Sequence, residues 1–487
     1  MLFKYIFKNT VFLLIARSVF KAFMAAMTIV LARFLGVENF GIYSTAVAFA
    51  AIFLVFNDLG MNTYLIREGS RDKTKLPVLF GNGLVIELIM SLILYFAIVV
   101  AAIILKYPPQ VISLISLIAI ATLIYEGRKI FEGVFCVNLK FKIIGWQQIF
   151  YSVLLFILTL LVVLKNPDLK NIAYVQIFVS VVILLFFIFI LLKFLKPKVV
   201  LSQIYPMLTG AFAFCLSHFF FIIYFQTDTV ILSIFKDSHD VGLYSAVYRL
   251  VVAIFIFSQI ILQTCMPVIY RIAMSEREKL KRIYRVLVKY LGTFGLAASC
   301  GLFFLAKPIV LLAYGKKYEG AIIILQILAW FIFLKFLSSV FSTYLLSTSK
   351  QNRRAAIQGV AAFLNLVLNL ILIPKFGFIA AAATTLFSEF FLAAVYYIIT
   401  TRDFKEKMIF LFLPVLKSFL PAAVLALFLY FTKDYFNVIV TAILGAVIFG
   451  LSLWVFRFFG EYDKKLIKQI ISRDTISKNT SNNIGQL

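Results

Sequence analysis

The chain has 487 residues, of which 63% are hydrophobic and only 14% are charged, and its mean hydropathy is +1.03. A soluble globule of this length could not bury so much apolar surface, and no polar block is long enough to form a separate soluble domain. The composition therefore predicts an all-α polytopic membrane protein, and we expect its function to reside in the membrane.

Apolar runs of about 20 residues, the length that crosses a bilayer as a helix, recur along the whole chain. The first run lacks a convincing small-residue cleavage site, so we interpret it as a retained span rather than a signal peptide. We predict about fourteen transmembrane helices, with approximate limits 10–34, 41–66, 78–105, 111–138, 143–164, 172–192, 207–235, 242–269, 286–306, 322–347, 355–373, 378–400, 414–431 and 438–459.

Basic residues concentrate in alternate predicted loops, and Lys and Arg accumulate on the cytoplasmic side of a membrane. This pattern predicts that both termini are cytoplasmic and that the net charge of +26 mostly reflects topology, strengthened by anionic lipid at the inner leaflet, with no indication of nucleic acid binding. The loops on the predicted cytoplasmic side carry Arg67, Arg71, Lys73, Lys75, Lys140, Lys142, Lys193, Lys196, Lys198, the run from Arg271 to Arg285, Lys350, Arg353, Arg354, Arg402, Lys405 and Lys407.

An internal repeat links the second and the eighth predicted spans. One begins FGIYSTAVAFAAIF and the other VGLYSAVYRLVVAIF, which places Gly41 and Gly242 about 200 residues, or six helices, apart. The repeat predicts two related six-helix bundles, residues 1–200 and 201–407, then two extra transmembrane helices in 408–460 and a cytoplasmic polar tail, 461–487. Membrane proteins of two bundles usually hold their substrate between the halves, near the midplane.

Two longer runs resemble a known family. The run LARFLGVENFGIYSTAVAFAAIFLVFNDLGMNTYLIRE (31–68) is similar to the N-terminal signature of polysaccharide-biosynthesis membrane proteins, the O-unit (Wzx-type) flippases of the multidrug/oligosaccharidyl-lipid/polysaccharide exporter superfamily. The run NLVLNLILIPKFGFIAAAATTLFSEF (365–390) resembles the eleventh and twelfth spans of that family. The resemblance covers essentially the whole chain.

The resemblance implies a transporter of the plasma membrane that needs no cofactor. Its substrate would be an isoprenoid (undecaprenyl) diphosphate-linked oligosaccharide, moved from the cytoplasmic to the outer leaflet by alternating access for cell-surface polysaccharide synthesis. Membrane lipids would surround it, and polysaccharide polymerase and chain-length machinery would be further partners.

Four basic residues fall inside predicted spans, where a charged side chain costs roughly 2.5–3.5 kcal/mol near the helix centre. Arg17 and Lys21 lie four residues apart on one face of the first helix, which has no acidic residue. Arg249 lies early in the eighth span and Lys335 near the centre of the tenth. We predict that these cations line a central cavity and bind a diphosphate. Snorkelling of Arg17 and ion pairing of the others remain the alternatives.

Acidic residues inside the spans are candidates for ion pairing or for coupling to an ion. Glu389 is central in the twelfth span, and Asp58, in NDLG, is read first as a helix-packing or hinge residue. Asp228 and the repeat-related Tyr43 and Tyr244 are expected near a water interface. In EGRKIFEG the spacing favours two ion pairs, Glu126 with Lys129 and Arg128 with Glu132.

The alternatives differ in class. A lipid II flippase would need the same cationic cavity, whereas a drug/cation antiporter of the same superfamily would be expected to carry an aspartate in its first helix. A scaffold in envelope-polymer assembly leaves the charges within the spans unexplained. An enzyme is disfavoured, because the sequence shows no phosphate-cradling glycine motif, metal cluster or convincing acid-base pair, and no metal site is predicted.

Overall fold

The computed structural model describes the backbone of residues 2–191, 193–273, 277–405, 408–433 and 435–460. Side chains are described there except for residues 2–11, 212–214, 216–218, 220–221, 267–268, 271 and 408–411. These ranges are almost entirely α-helical and contain no strand. The helices are α1 Leu2–Leu54, α2 Met61–Arg71, α3 Leu76–Ile104, α4 Pro109–Glu126, α5 Lys129–Val137, α6 Phe141–Lys165, α7 Leu169–Leu191, α8 Ile204–Phe235, α9 Ser238–Ala273, α10 Arg277–Phe304, α11 Ala306–Tyr314, α12 Ile322–Ser347, α13 Gln351–Phe404, α14 Met408–Leu416, α15 Phe419–Thr432 and α16 Val438–Val455.

Eleven helices in the described ranges are long and apolar enough to cross a membrane, which confirms a multi-pass, all-α membrane protein. Two of them, Phe12–Leu54 and Gln351–Phe404, greatly exceed the roughly 20 residues of a single crossing. Each breaks at a glycine with positive φ, Gly36 at 74° and Gly377 at 57°, so each long helix accommodates two crossings. The count of fourteen, the cytoplasmic termini and the limits of the two bundles stay predictions, and the tail 461–487 lies outside the described residues.

The second predicted span, 41–66, is wrong as one continuous helix. Helix α1 ends at Leu54, and the chain turns through positive φ at Leu59 (47°) and Gly60 (80°) before α2 begins. The Asp58 side chain accepts a hydrogen bond from the Asn62 N–H at 2.7 Å and thereby caps α2. The sequence NDLG provides this turn because an aspartate satisfies free N–H groups and a glycine tolerates positive φ.

The two repeat glycines lie in one close contact between α1 and α9. A Cβ atom at Gly41 would lie 1.7 Å from the Ser238 carbonyl oxygen, and one at Gly242 would lie 2.1 Å from the Val37 carbonyl oxygen. Only glycine permits such an approach of two backbones. We call this contact of Val37 and Gly41 with Ser238 and Gly242 the outer seal, because it joins α1 to α9 on the predicted outer side.

The last three helices form a separate layer against α10. Helices α15 and α16 pack on each other and on α10, and α14 packs on the first part of α10. An apolar cluster that includes Leu296, Leu425, Leu429 and Phe449 lies between them. Burial of these side chains holds the C-terminal layer on one side of the second half of the chain.

Candidate functional site

Three adjoining cavities lie on the inner side of the outer seal. The first two lie between α1 and α9, and the third lies within the second half of the chain, between α9, α12 and α13. Their volumes are about 370, 280 and 210 Å³. The first and second share Lys21, and the second and third share Gln259. Along α9 the lining runs from Ser245 to Met266, a distance of about 32 Å at the rise of an α-helix. We call these three cavities the central cavity system.

The lining of the central cavity system is strongly basic. None of the described residues that line it is acidic. All four cations predicted to form a cavity are among its lining residues, although their binding of a substrate stays a prediction. The basic residues that line the system are Arg17, Lys21, Arg128, Arg249, Lys335 and Arg354.

Lys21 sits where the first two cavities meet. Its ammonium group donates a hydrogen bond to Oε1 of Gln259 on α9 at 3.4 Å, and its side chain is half-buried. Arg17, one turn earlier on the same face of α1, is exposed and lines the second cavity. Within the described part of the chain, neither cation forms an ion pair, so both charges remain available to an anion.

Arg249 projects from α9 toward two aromatic rings of α1. Its guanidinium carbon lies 5.6 Å from the centroid of the Phe40 ring and 5.7 Å from that of Tyr43. Among the residues that the structure describes, no carboxylate lies within ion-pair distance of Arg249. The expectation of interfacial tyrosines is wrong, because Tyr43 is buried beside Arg249 and Tyr244 is buried beside Asp228. The outer seal brings both repeat segments inward, which removes these rings from the interface.

Lys335 and Glu389 form the ion pair that the sequence left as an alternative. The Lys335 Nζ atom lies 3.0 Å from Oε2 of Glu389, whose side chain is fully buried. Tyr224 donates to the same carboxylate at 2.8 Å, and Ser338 donates to its other oxygen. Lys335 also lies 5.2 Å from the ring centroid of Phe225. Its charge is therefore largely neutralised within the protein, although it lines the third cavity.

Asp228 is buried in a polar network, and its expected place at the water interface is wrong. Tyr244 donates to its carboxylate at 2.8 Å, and Asn369 and Thr385 donate to it as well. These three donors come from α9 and α13, which cover the end of α8. The network satisfies the carboxylate with neutral hydrogen bonds and ties the three helices together.

Two acidic residues of the first half, Asp58 and Glu87, accept hydrogen bonds from neighbouring residues. The amide of Asn57 is fully buried; it donates to Glu87 at 3.5 Å and accepts from the Ser91 hydroxyl at 2.8 Å. With Asp58 capping α2, this network fits the packing or hinge interpretation of NDLG. In the C-terminal layer, Lys417 lies in the break between α14 and α15.

The two ion pairs predicted in EGRKIFEG are present. Arg128 and Glu132 lie 2.6 Å apart, and Lys129 pairs with Glu126. The Arg128 guanidinium also covers the Tyr125 ring at 3.9 Å from its centroid. Sequence reasoning identified the pairs but missed that Arg128 lines the second cavity.

Other lining residues were missed as well. Arg354 was assigned to a loop, yet it lines the third cavity and donates to Ser342 at 2.7 Å. The repeat-related hydroxyls of Ser44 and Ser245 line the first cavity, and neither forms a hydrogen bond within the described residues. Their shared position in FGIYS and VGLYS was the signal that could have identified them.

One group of metal-type ligands lies at the start of α9. Oxygen or nitrogen atoms of Asp237, His239 and Asp240 lie within 4.8 Å of one another, and all three side chains are at least partly exposed. The Asp237 carboxylate accepts the Asp240 N–H at 2.9 Å, as expected of a helix cap. This group lies outside the central cavity system.

The chain matches two family models. One is described as "Polysaccharide biosynthesis protein" and matches residues 6–273, and the other is MatE, which matches residues 213–371. Among solved structures, "Lipid II flippase MurJ, inward closed conformation" superposes with a TM-score of 0.71 at 16% identity, covering 92% of this chain and 99% of that one. At this identity the superposition shows a shared fold alone.

Two curated relatives match part of the chain. It is 28% identical over 178 residues to the "Capsular polysaccharide biosynthesis protein CapF" of Staphylococcus aureus, which covers 36% of this chain and 44% of the relative. It is 25% identical over 166 residues to the "Probable low-salt glycan biosynthesis flippase Agl15" of Haloferax volcanii, covering 34% and 35%. The chain thus matches less than half the length of either relative. Because the first family model spans more than half of its residues, the chain belongs to the polysaccharide biosynthesis protein family.

Proposed function

We propose that the protein is a flippase that carries an isoprenoid (undecaprenyl) diphosphate-linked oligosaccharide from the cytoplasmic to the outer leaflet for cell-surface polysaccharide synthesis. The observation that carries this proposal is the basic lining of the central cavity system, which has no acidic member among its described residues. A low-dielectric cleft lined by one sign of charge concentrates ligands of the opposite sign. A diphosphate supplies that charge.

Two features support a diphosphate bound near Lys21 and Arg249. Lys21 lines the first cavity from α1 and Arg249 lines it from α9, and neither has an acidic partner in the described part of the chain. Charge-assisted hydrogen bonds from such groups to phosphate oxygens are about twice as strong as neutral ones. The hydroxyls of Ser44 and Ser245 in the same cavity offer donors and acceptors for a further polar group of the substrate.

Transport would proceed by alternating access. With the predicted orientation, the outer seal would close the outer side and the cavities would lie on its cytoplasmic side, so a headgroup would enter from the cytoplasm while the isoprenoid tail stays in lipid. Rocking of the two halves would then open the seal and expose the headgroup outside. The sequence has no ATP-binding motif, so an ion gradient or consumption of the product must drive the cycle. Asp58, Asp228 and Glu389 remain the candidates for coupling.

A lipid II flippase is the second candidate function, because lipid II carries the same diphosphate and the fold is that of MurJ. The cationic cavity fits both substrates equally. It fits a drug/cation antiporter poorly, despite the MatE match, because cationic drugs would meet like charge. Catalysis has no support in the chemistry of the lining, and we assign no enzymatic step.

Depletion of the protein in its native host tests this proposal. We expect lipid-linked oligosaccharides to accumulate in the cytoplasmic leaflet, and the wild-type chain to reverse the accumulation. Arg17→Ala/Lys21→Ala should fail to reverse it although the variant inserts normally. The matched control is Lys196→Ala/Lys198→Ala, which removes two exposed loop charges. Accumulation of lipid II instead would favour the second candidate, and unchanged lipid pools with greater sensitivity to cationic drugs would favour an antiporter.

A further inference from the structure

A fourth cavity, of about 420 Å³, lies in the C-terminal layer, outside the central cavity system. It is bounded by the first part of α10, by the break between α14 and α15, and by the segment that follows α16. None of its described lining residues is acidic. Five basic residues line it: Arg282, Arg285, Lys289, Lys417 and Arg457.

The fold brings these five charges together from three places in the chain. Arg282, Arg285 and Lys289 follow one another at spacings of three and four residues, so they share one face of α10. Lys289 donates to the Phe458 carbonyl oxygen at 2.8 Å, and this bond holds the end of the C-terminal layer against α10. Within the described part of the chain, Arg282, Lys417 and Arg457 form no ion pair, so a bound anion would offset the repulsion among these three charges.

The cavity lies at the membrane surface on the predicted cytoplasmic side. Helix α10 begins directly after the most basic loop of the chain, which marks the cytoplasmic end of the spans. Apolar side chains next to the cavity are exposed, notably Leu413, Leu416, Trp454 and Val455. A cationic cavity beside an exposed apolar surface suits a ligand with a phosphate at one end and acyl chains at the other.

We propose that this cavity binds the phosphate headgroup of an anionic phospholipid of the inner leaflet. Basic pockets between transmembrane helices on the cytoplasmic side are a known mode of recognition of anionic lipid headgroups. Bound there, the lipid would hold the C-terminal layer on α10 through its phosphate and cover the exposed apolar surface with its acyl chains.

Lipid titration of the full-length protein in a neutral detergent tests the proposal. Binding is counted by native mass spectrometry, and the melting temperature is followed in parallel. Three ligands are compared: dioleoylphosphatidylglycerol, dioleoylphosphatidylcholine and inorganic phosphate. We expect phosphatidylglycerol to bind and to raise the melting temperature, and the other two ligands to do so far less.

Variants locate the binding. Arg282→Gln/Lys417→Gln/Arg457→Gln should weaken phosphatidylglycerol binding about tenfold or more, since each basic residue near the surface contributes to the attraction. The matched control, Lys73→Gln/Lys196→Gln/Lys198→Gln, removes three exposed charges from the same predicted side and should bind as the wild type does.

A Lys-substituted variant, Arg282→Lys/Arg457→Lys, keeps the charge and should retain binding, which separates loss of charge from misfolding. Equal binding by the Gln variant and the wild type would overturn the proposal. Equal weakening by the control variant would overturn it too, because the attraction would then be general to the basic face. Stabilisation by inorganic phosphate as large as that by phosphatidylglycerol would assign the cavity to a free anion instead of a lipid.

Discussion

The outer seal makes a quantitative prediction about the conformational equilibrium. Gly242→Ala places a methyl group 2.1 Å from the Val37 carbonyl oxygen, and Gly41→Ala places one 1.7 Å from that of Ser238. Ordinary contact begins near 3.4 Å, so the two backbones would have to separate by about 1.3–1.7 Å. Neither obstacle is the end of a flexible side chain, so the clash cannot be relieved without moving α1 away from α9.

Measured effects of overpacking give the free-energy cost of these two substitutions. Extra methyl groups in well-packed contacts cost about 1–3 kcal/mol. If the state in which the seal is closed bears this cost and the open state does not, the equilibrium shifts toward opening by about 5- to 150-fold. The two substitutions act on one contact, so the double variant should shift it less than the product of the single effects.

Thiol labelling from the outer side measures the shift. A cysteine replaces Ser245, a buried residue that lines the first cavity just inside the seal, in a variant without the four native cysteines. We expect Gly242→Ala to accelerate its modification by a membrane-impermeant maleimide. Gly301→Ala is the matched control, because a Cβ there meets nothing within 4 Å. Equal labelling rates in the two variants would refute the assignment of this contact as a seal.

Two further predictions concern the buried charges. Lys335→Met should lower stability by about 3–5 kcal/mol, because it leaves the fully buried Glu389 carboxylate without its cation, and Lys335→Met/Glu389→Gln should restore most of the loss in thermal unfolding. If the single variant abolished transport at unchanged stability, Lys335 would be a binding cation rather than a structural one. Asp228→Leu should cost about 1–3 kcal/mol for each buried donor left unsatisfied, and Asp228→Asn much less. A melting temperature unaffected by Asp228→Leu would contradict the structural role of this network.

Features that depend on local sequence were predictable. Apolar runs predicted a multi-pass, all-α membrane protein, and the pairs in EGRKIFEG were found because helical spacing determines which side chains meet. The repeat located Gly41 and Gly242 as equivalent positions. Contacts between residues that lie far apart in the chain could not be predicted from local sequence. Glu389 and Lys335 lie 54 residues apart in the chain, and only the packing of α12 against α13 decides that they meet.

The wrong predictions for Asp228, Tyr43 and Tyr244 have a common physical cause. Asp228, Tyr43 and Tyr244 lie near the ends of predicted spans, where polar and aromatic side chains usually face the interface. In the structure, the outer seal and α13 cover these span ends, so all three residues are buried. Tyr244 donates a hydrogen bond to Asp228, and Tyr43 accepts one from Gln176. The position of a residue along a span predicts its depth in the membrane. Its exposure depends on which other helices pack against it, and the local sequence of the span does not identify those helices.

The acidic residues near the site are hydrogen-bonded within the protein, whereas two basic residues face the cavity, and this difference bears on the proposed transport cycle. The carboxylates of Glu389 and Asp228 accept hydrogen bonds from residues of the second half, so they do not face the first cavity. Lys21 and Arg249 do face it. Lys21 belongs to α1 and Arg249 to α9, the two helices that the outer seal joins. A transported anion must be held less tightly in the releasing state, because a ligand shifts an equilibrium only through its differential affinity. In the proposed cycle, separation of α1 from α9 at the seal would move these two cations apart, and the motion that would expose the headgroup would therefore also weaken its binding.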